Sequence, residues 1–401
     1  MTYNKYMIIM LVNLFMYSNA FSCGLEAYLK KSDSYKIFEL NQKENRLKNK
    51  SVNYSFLPNI YIGMGQYINN DTGLVDISKS SFYISFSQLI FSGESLGKNS
   101  EKEEIDNKER KILFEKEKNE QLLKLYADII QHEYLKENVL LNFSRLDKIK
   151  SEYNKTLLDL KSGIVPSLEV DVKSLNILKI ENLLDGLMED LKLLEKKISK
   201  DYSIPPGNIS KITYNDIISC KEIGYRELID RSKYNKLQQA DIELDINNAA
   251  LLPSVYLSIG LTPKNEGTLR DISLRKMDYN GGVSINIPFS NFFTAIDNQK
   301  KFAVSVSKAR LESEKDLKEL IIAKRDIFNK LSAIKRYIPI LKREVELKNR
   351  KMEYNLWLVK NKKESILSYL DSQDELYEAE INLKKHERDL KYYQMYLNFI
   401  N

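Results

Sequence analysis

The feature that most constrains the fold is a pattern that occurs twice: two segments of alternating apolar and polar residues, followed by a long helical run. Strict alternation predicts β-strands with one apolar face, and two such strands in succession predict a hairpin. The two hairpins start 195 residues apart, at Leu57 and Leu252, and end 198 residues apart, at Phe91 and Phe289. We therefore interpret the chain as an internal duplication of roughly 197 residues.

About 70 residues almost free of helix breakers follow each hairpin. The run Glu94–Lys161 contains no Pro and no Gly after Gly97, and Thr294–Lys363 contains only Pro339. At 1.5 Å per residue, ~70 residues form a rod on the order of 100 Å long. The helix that returns from the first rod has apolar residues spaced alternately 3 and 4 apart, which is typical of coiled coils. These residues are Ile177, Ile180, Leu184, Leu187, Leu191, Leu194 and Ile198.

These patterns predict a mixed α+β fold, predominantly long α-helical coiled coils, made of two tandem repeats of a β-hairpin plus a long helical hairpin. The first repeat spans 23–218 and the second spans 220–401. The first comprises an N-terminal helix, a β-hairpin at 53–91, a helical hairpin at 94–200 and a break at 201–219. The second comprises a helix at 222–248, a β-hairpin at 253–289 and a helical hairpin at 294–400.

The N-terminus is predicted to be a secretory signal peptide spanning 1–20. Lys5 precedes the apolar stretch Met7–Met16, and Ser18-Asn19-Ala20 ends in a small residue. Cys23 follows Ala20-Phe21-Ser22, which loosely resembles a lipoprotein cleavage site, so Cys23 is a candidate for lipidation and the peptide would then extend to residue 22. Pairing of Cys23 with Cys220 in an oxidising compartment stays open.

Composition excludes several classes of function. The 62 Lys and Arg residues nearly balance 56 Asp and Glu residues, and the resulting net charge of +6 does not indicate a nucleic-acid partner. Two Cys and two His leave too few ligands for zinc or iron–sulfur sites, so no metal is predicted. No phosphate-binding loop, dinucleotide fingerprint or EF-hand occurs, so no cofactor is predicted.

Four amphipathic strands cannot close a membrane barrel alone, because the smallest such barrels have about eight strands. Beyond residue 20, no stretch reaches the ~20 apolar residues of a membrane-spanning helix. Equal sharing by three copies gives a twelve-stranded transmembrane β-barrel with the helices continuing as a tube. The alternative is a secreted or periplasmic coiled-coil binding or structural protein whose strands pack on a soluble core.

The chain resembles the outer membrane efflux protein family, the TolC-like channels, over nearly its whole mature length. The resemblance rests on Leu57-Pro58 and Leu252-Pro253, the strand ends Ser85–Phe91 and Ser284–Phe289, and the helix tips Gly163–Val170 and Ile366–Asp371. It implies a homotrimer, four strands per chain, with its barrel in outer-membrane lipid and a helical tunnel in the periplasm. It further implies that the protein is the exit duct of a tripartite efflux or type I secretion system. The distal gate would dock on a periplasmic adaptor (membrane fusion) protein joined to an inner-membrane pump of RND or ABC type.

The resemblance also indicates which tip residues carry function. The pore and gate candidates are Glu169, Ser368 and Asp371. The candidates for adaptor contact are Gly163, Ile164, Val165, Lys360, Lys362 and Lys363. The chain departs from the family at Asn361-Lys362-Lys363-Glu364, where a Gly is usual, and at Ser368, where an acidic residue is common. If Asp371 faces the lumen, three copies form an acidic ring that attracts cations.

A third hypothesis is a serine esterase that uses Ser95. Gly93-Glu94-Ser95-Leu96-Gly97 matches G-x-S-x-G and lies between a strand and a helix. A serine hydrolase also needs a His, and the two in the chain, His132 and His386, both fall inside the predicted rods. The motif is therefore interpreted as a turn.

Overall fold

The structure is a computed structural model that describes residues 23–54, 57–65, 81–264, 274–361 and 363–401. The predicted signal peptide lies outside these residues. The helices are α1 (Glu26–Leu29), α2 (Asp33–Tyr54), α3 (Ser95–Lys161), α4 (Ser167–Tyr202), α5 (Pro206–Ile209), α6 (Tyr214–Ser219), α7 (Tyr225–Ala249), α8 (Phe289–Lys360) and α9 (Ile366–Ile400). The strands are β1 (Asn59–Gly65), β2 (Ser81–Phe91), β3 (Ser254–Pro263) and β4 (Met277–Asn286).

This element order confirms the predicted fold class of long helices with a small antiparallel sheet. Helix α8 runs without interruption through Pro339. The predicted N-terminal helix differs in detail, because residues 30–32 separate α1 from α2. At this junction the Ser32 hydroxyl donates to the carbonyl of Leu29 at 2.6 Å and accepts from the amide of Tyr35 at 3.4 Å. A serine that satisfies backbone groups in this way favours a helix start.

The four strands form one antiparallel sheet in the order β1-β2-β3-β4. Residues opposite each other in an antiparallel sheet share a face. One face carries the cross-strand rows Ile60–Phe86–Ile259–Gly281 and Ile62–Ile84–Leu261–Tyr279. The other carries Tyr61–Ser85–Gly260–Asn280 and Asn59–Ser87–Ser258–Gly282. The sheet thus has one apolar face and one face of polar and small residues.

The chain divides into two spatial units, and each takes segments from both sequence repeats. Unit 1 contains the described part of Met1–Ile37 with Glu115–Leu228 and Leu317–Asn401. Unit 2 contains the described parts of Phe38–Phe114 and Ile229–Asp316, including the sheet. The division into repeats at residues 218 and 220 therefore stays a prediction from sequence.

The G-x-S-x-G segment is a strand-to-helix turn in unit 2. Gly93 has a φ of +61° and Glu94 has a φ of +68°, and the Ser95 amide donates to the Ser92 carbonyl at 3.1 Å. A Cβ at Gly93 would lie 2.4 Å from the carbonyl oxygen of Ala249. Glycine is needed at position 93 because the backbone is left-handed and there is no room for a Cβ. This structural requirement supports the interpretation of the motif as a turn.

Candidate functional site

The four long helix segments of unit 1 lie in the order α4, α3, α9, α8. Helices α3 and α4 share a buried apolar cluster formed by Val139, Leu146, Ile149, Ile180 and Leu184. Helix α3 is joined to α9 by ion pairs of Glu133 with Lys391 and of Glu137 with Lys384. Helix α9 is joined to α8 through Glu375, which pairs with Lys348 at 2.7 Å and Lys351 at 2.8 Å. Helices α4 and α8 are therefore the two edges of this layer.

The turn between α3 and α4 is fixed by a glycine. Gly163 has a φ of +68°, its amide donates to the carbonyl of Leu160, and the Ile164 amide donates to the carbonyl of Asp159 at 2.8 Å. This pair of bonds defines a Schellman motif, which favours glycine at the left-handed position. Pro166 then has an extended backbone and α4 begins.

The turn between α8 and α9 has a matching hydrogen bond. The Lys363 amide donates to the carbonyl of Leu358 at 2.9 Å, which corresponds to the bond from Ile164 to Asp159. Position 362 takes the place of Gly163 in this alignment, and Lys362 lies outside the described residues. Extended Ser365 precedes α9, as Pro166 precedes α4.

Just behind these turns lies a small apolar cluster. Its buried members are Met352, Ile366, Tyr369 and Leu370, and Val172, Leu356, Val359 and Leu376 pack against it. The cluster contains residues from the start of α4, the end of α8 and the start of α9. It therefore holds these three helix ends together at the same level along the helix axes.

Tyr369 connects this cluster to a buried polar network. Its side chain is 0% exposed, and its hydroxyl donates to Glu152 Oε1 on α3 at 2.9 Å. Gln373, one turn further along α9, donates to the same hydroxyl. Burial and the neighbouring Glu152 raise the pKa of the Tyr369 hydroxyl, which keeps it a proton donor.

Glu152 lies between Tyr369 and a buried lysine of α4. Lys173 Nζ is 4.0 Å from Glu152 Oε2 and donates to Thr156 Oγ1 at 2.9 Å. Burial lowers the pKa of Lys173. Glu152 Oε2 has no hydrogen-bond partner among the described residues. Such a network is sensitive to the loss of any member, because unpaired buried polar groups are costly.

A second polar layer lies about two turns from the first along α3. Arg145 forms an ion pair with Asp374, and its guanidinium lies over the ring of Tyr377 at 4.6 Å. Asn142 donates to the hydroxyl of Tyr377. Burial lowers the pKa of Arg145. Both layers join α3 to α9 through polar and charge-assisted contacts.

The residues predicted from sequence surround this network and do not form it. Asp371 is exposed and has no hydrogen bond or ion pair to another described residue. Glu169 is half-buried in the first turn of α4, and the Ser368 hydroxyl donates to Glu364 at 2.9 Å. Their roles in a pore or gate stay predictions.

The predicted contact residues lie at the two turns. Gly163 and Ile164 are exposed and Val165 is half-buried. Lys360 and Lys363 are exposed, and Lys363 Nζ lies 5.3 Å from the ring centroid of Trp357. Contact of this surface with an adaptor stays a prediction.

Sequence reasoning missed the residues that join α3 to α9, although the sequence contains a signal for them. Asn142, Arg145 and Glu152 recur on α3 at spacings of 3 and 7 residues. Tyr369, Gln373 and Tyr377 recur on α9 at spacings of 4. Polar residues at coiled-coil spacing mark a buried polar seam, because in such seams they specify which helices pair.

Far from the tips, Cys23 forms a disulfide with Cys220, a pairing that the sequence left open. Cys220 is 1% exposed within a large apolar cluster that also contains Leu25, Ile198 and Phe399. The disulfide uses the Cys23 sulfur, the atom to which a lipid would be attached. The disulfide form and lipidation of Cys23 therefore exclude each other.

Both histidines belong to helix contacts in unit 1. His132 is 2% exposed, and its Nε2 lies 3.1 Å from Glu195 of α4. His386 Nδ1 lies 2.8 Å from the carbonyl of Asn382, and its ring makes an edge contact with Tyr337. These contacts are those of packed helix residues.

Comparison with known proteins shows the fold. No protein-family model and no curated protein matches the sequence. Solved structures match along most of both chains. VceC, an outer membrane protein from Vibrio cholerae, has a TM-score of 0.69 at 11% identity and covers 94% of each chain. The CmeC outer membrane channel from Campylobacter jejuni has a TM-score of 0.71 at 12% identity and covers 95% of this chain and 86% of its own.

The open state of the MtrE outer membrane channel from Neisseria gonorrhoeae is similar to the same degree. Its TM-score is 0.71 at 12% identity, with 94% of this chain and 87% of that chain covered. The protein therefore has the TolC-like fold of these outer-membrane channels. Among the described residues, no helix combines the length and apolar composition needed to cross a bilayer.

Proposed function

We propose that this protein is one subunit of an outer-membrane exit duct, a passive conduit for efflux. Three copies would each contribute four strands to a twelve-stranded barrel in the outer membrane, and the helices would form a tube in the periplasm. The duct would serve a tripartite efflux or type I secretion system, with an adaptor and an inner-membrane pump of RND or ABC type. The TolC-like fold supports this proposal.

The single observation that carries the proposal is the two-faced sheet. Apolar side chains of the edge strands are uncovered: Ile62 is 69% exposed on β1, and Val283 and Ile285 are each 64% exposed on β4. Among the described residues, β1 and β4 each pair with one strand only. A sheet with an uncovered apolar face and two open edges is prone to aggregate in water unless a partner or lipid covers it. In a shared barrel the apolar face would meet lipid, the polar face would line the lumen, and the edges would pair.

Gating would occur at the helix tips. In the resting state, the contacts of Tyr369 with Glu152 and of Arg145 with Asp374 would hold α9 against α3. Opening would break these contacts and let α8 and α9 move outward as a pair. Glu169, Ser368 and Asp371 would line the narrow end. We expect Asp371→Ala to lower cation preference in single-channel recordings, because Asp371 is exposed and unpaired among the described residues.

The turns would provide the contact surface for the adaptor. Ile164 is 57% exposed, and Lys360 and Lys363 add positive charge nearby. An apolar residue flanked by cations fits a partner surface that is apolar at its centre and acidic around it.

The proposal is tested by a pair of substitutions at adjacent residues of β3. Ile259 lies on the apolar face and Ser258 on the polar face. Ile259→Lys would place a charge in lipid at a cost of about 2–4 kcal/mol, whereas Ser258→Lys would place the same charge in the aqueous lumen. We expect Ile259→Lys to reduce the folded protein in the outer-membrane fraction and Ser258→Lys to leave it unchanged.

The same preparations give the mass of the native particle. A species of three chains that requires detergent supports the duct. A soluble monomer, with both lysine variants equally tolerated, would contradict it and favour a periplasmic coiled-coil binding protein.

A further inference from the structure

Helix α8 carries two apolar seams, and only one is covered within the described part of the chain. The covered seam faces α9 and includes Leu331, Leu341 and Met352, all buried. The uncovered seam consists of Arg336, Ile340, Arg343, Leu347, Arg350, Tyr354 and Trp357, spaced alternately 4 and 3 apart. Its apolar members are 51–61% exposed. A 3–4 spacing specifies a stripe that faces a partner helix.

Helix α4 also carries an uncovered seam. It consists of Leu168, Asp171, Leu175, Leu178, Asn182, Asp185 and Glu189, spaced alternately 3 and 4 apart. Its three leucines are 55–65% exposed. This stripe lies away from the buried residues Ile180 and Leu184, which pack against α3.

The charges of the two seams are opposite. The α8 seam contains three arginines and no acid, and the α4 seam contains three acids and no base. All six charged residues are exposed, and none forms an ion pair with another described residue. Because α4 and α8 are opposite edges of the helix layer, one chain cannot bring these seams together.

Two copies related by rotation can bring them together. In a cyclic ring, one edge of each copy contacts the other edge of the next, and all copies stand at the same height. Helix α4 runs away from the tip and α8 runs toward it, so the contact is antiparallel. Within the chain, Val172 packs against the cluster that contains Met352, which places both helix ends at one height.

The distance of each charge from the tip then decides which charges meet. Arg343 lies about five helical turns before the end of α8 at Lys360, and Asp185 lies about five turns after the start of α4 at Ser167. Arg336 and Glu189 lie farther from the tip, each roughly six to seven turns from the same helix ends. At a rise of about 1.5 Å for each residue, the two members of each pair lie at distances from the tip that differ by no more than about 3 Å.

We infer that the ring closes through these two seams: α8 of one copy packs antiparallel on α4 of the next, with Arg343 beside Asp185 and Arg336 beside Glu189. The inference rests on the proposed duct and specifies how its helical tube is assembled. The apolar residues supply buried area, and the charges set register and exclude pairing of two like edges.

Charge reversal with rescue tests the inference on the full chain in detergent. We expect Arg336→Glu with Arg343→Glu to weaken the association of the copies. The protein concentration at which half of the trimers are dissociated should rise at least tenfold. Asp185→Lys with Glu189→Lys should have the same effect, and all four changes together should restore the association. The matched control is Lys148→Glu with Lys155→Glu, which reverses two exposed charges at the same spacing on α3, in the middle of the layer.

A cross-link gives an answer even if the charge variants fold poorly. We expect a chain with both Arg343→Cys and Asp185→Cys to form covalent dimers and trimers on a non-reducing gel, and Asp185→Cys alone to form none. A native trimer without this ladder, and with no effect of charge reversal, would overturn the α4–α8 contact and leave the duct intact. A detergent-independent monomer would overturn the duct itself.

Discussion

The hydroxyl of Tyr369 on α9 donates a hydrogen bond to Glu152 on α3 at 2.9 Å, although 217 residues separate them in the sequence. Tyr369 is completely buried, and Lys173 approaches the same carboxylate from α4. Three helices therefore meet at one carboxylate just behind the tips. This position makes the hydrogen bond the most direct target for testing the gate.

We predict that Tyr369→Phe increases channel conductance. The change removes the hydroxyl and leaves the Glu152 carboxylate with one partner fewer. The loss destabilises the closed arrangement by about 1–3 kcal/mol. Single-channel recording in planar bilayers measures the effect. Tyr153→Phe is the matched control, because Tyr153 is adjacent to Glu152 on α3 and its hydroxyl forms no hydrogen bond to another described residue. Unchanged conductance of Tyr369→Phe, together with lower stability, would assign Tyr369 to packing alone.

We predict that Glu380→Gln stabilises the protein at neutral pH. Burial raises the pKa of Glu380 above its ordinary value of 4.5. A carboxyl with a raised folded pKa contributes full stability below its unfolded pKa and loses it as the pH rises through the folded pKa. Thermal melting from acidic to neutral pH should therefore show a flatter profile for Glu380→Gln. Glu378→Gln, an exposed position on the same helix, should leave the profile unchanged.

We predict that the Cys23–Cys220 disulfide anchors the N-terminal segment. It closes a loop with a sequence separation of 197 residues. Its loss in Cys23→Ser with Cys220→Ser should cost about 2–4 kcal/mol, mainly because the unfolded chain gains freedom. Thermal melting with and without reductant checks this, and reductant should not affect the double variant. The intact mass of the mature chain shows whether Cys23 instead carries a lipid.

We predict that Gly93→Ala destabilises the strand-to-helix turn. An alanine at position 93 would have to adopt a left-handed backbone, which costs roughly 1–2 kcal/mol. Its Cβ would also clash with the carbonyl of Ala249. Gly97→Ala is the control, since it lies inside α3 with no atom within 4 Å of an added Cβ. It should be neutral or stabilising by up to about 1 kcal/mol. Loss of hydrolysis of simple esters in Ser95→Ala would contradict the interpretation of this segment as a turn.

The sequence alone determined the alternation of hairpins and rods. Strand and helix faces follow from spacings of 2 and 3.5 between residues close in the chain, as in Ile60 and Ile62 or Ile180 and Leu184. Such local periodicity is readable without a partner. It also identified the turn between α3 and α4, because Gly163 permits a left-handed backbone and Pro166 cannot continue a helix. The turn between α8 and α9 contains neither residue type and was located only through the family resemblance.

Only the tertiary structure decided which helices are neighbours and which side chains meet. Nothing near Glu152 in the sequence identifies Tyr369 as its partner, and the separation of Cys23 from Cys220 did not predict their disulfide. Partners far apart in the chain are selected by packing of whole helix faces, which depends on every contact in the layer at once. For the same reason, the α4 and α8 seams could be understood as unpartnered only after α3 and α9 were placed between them.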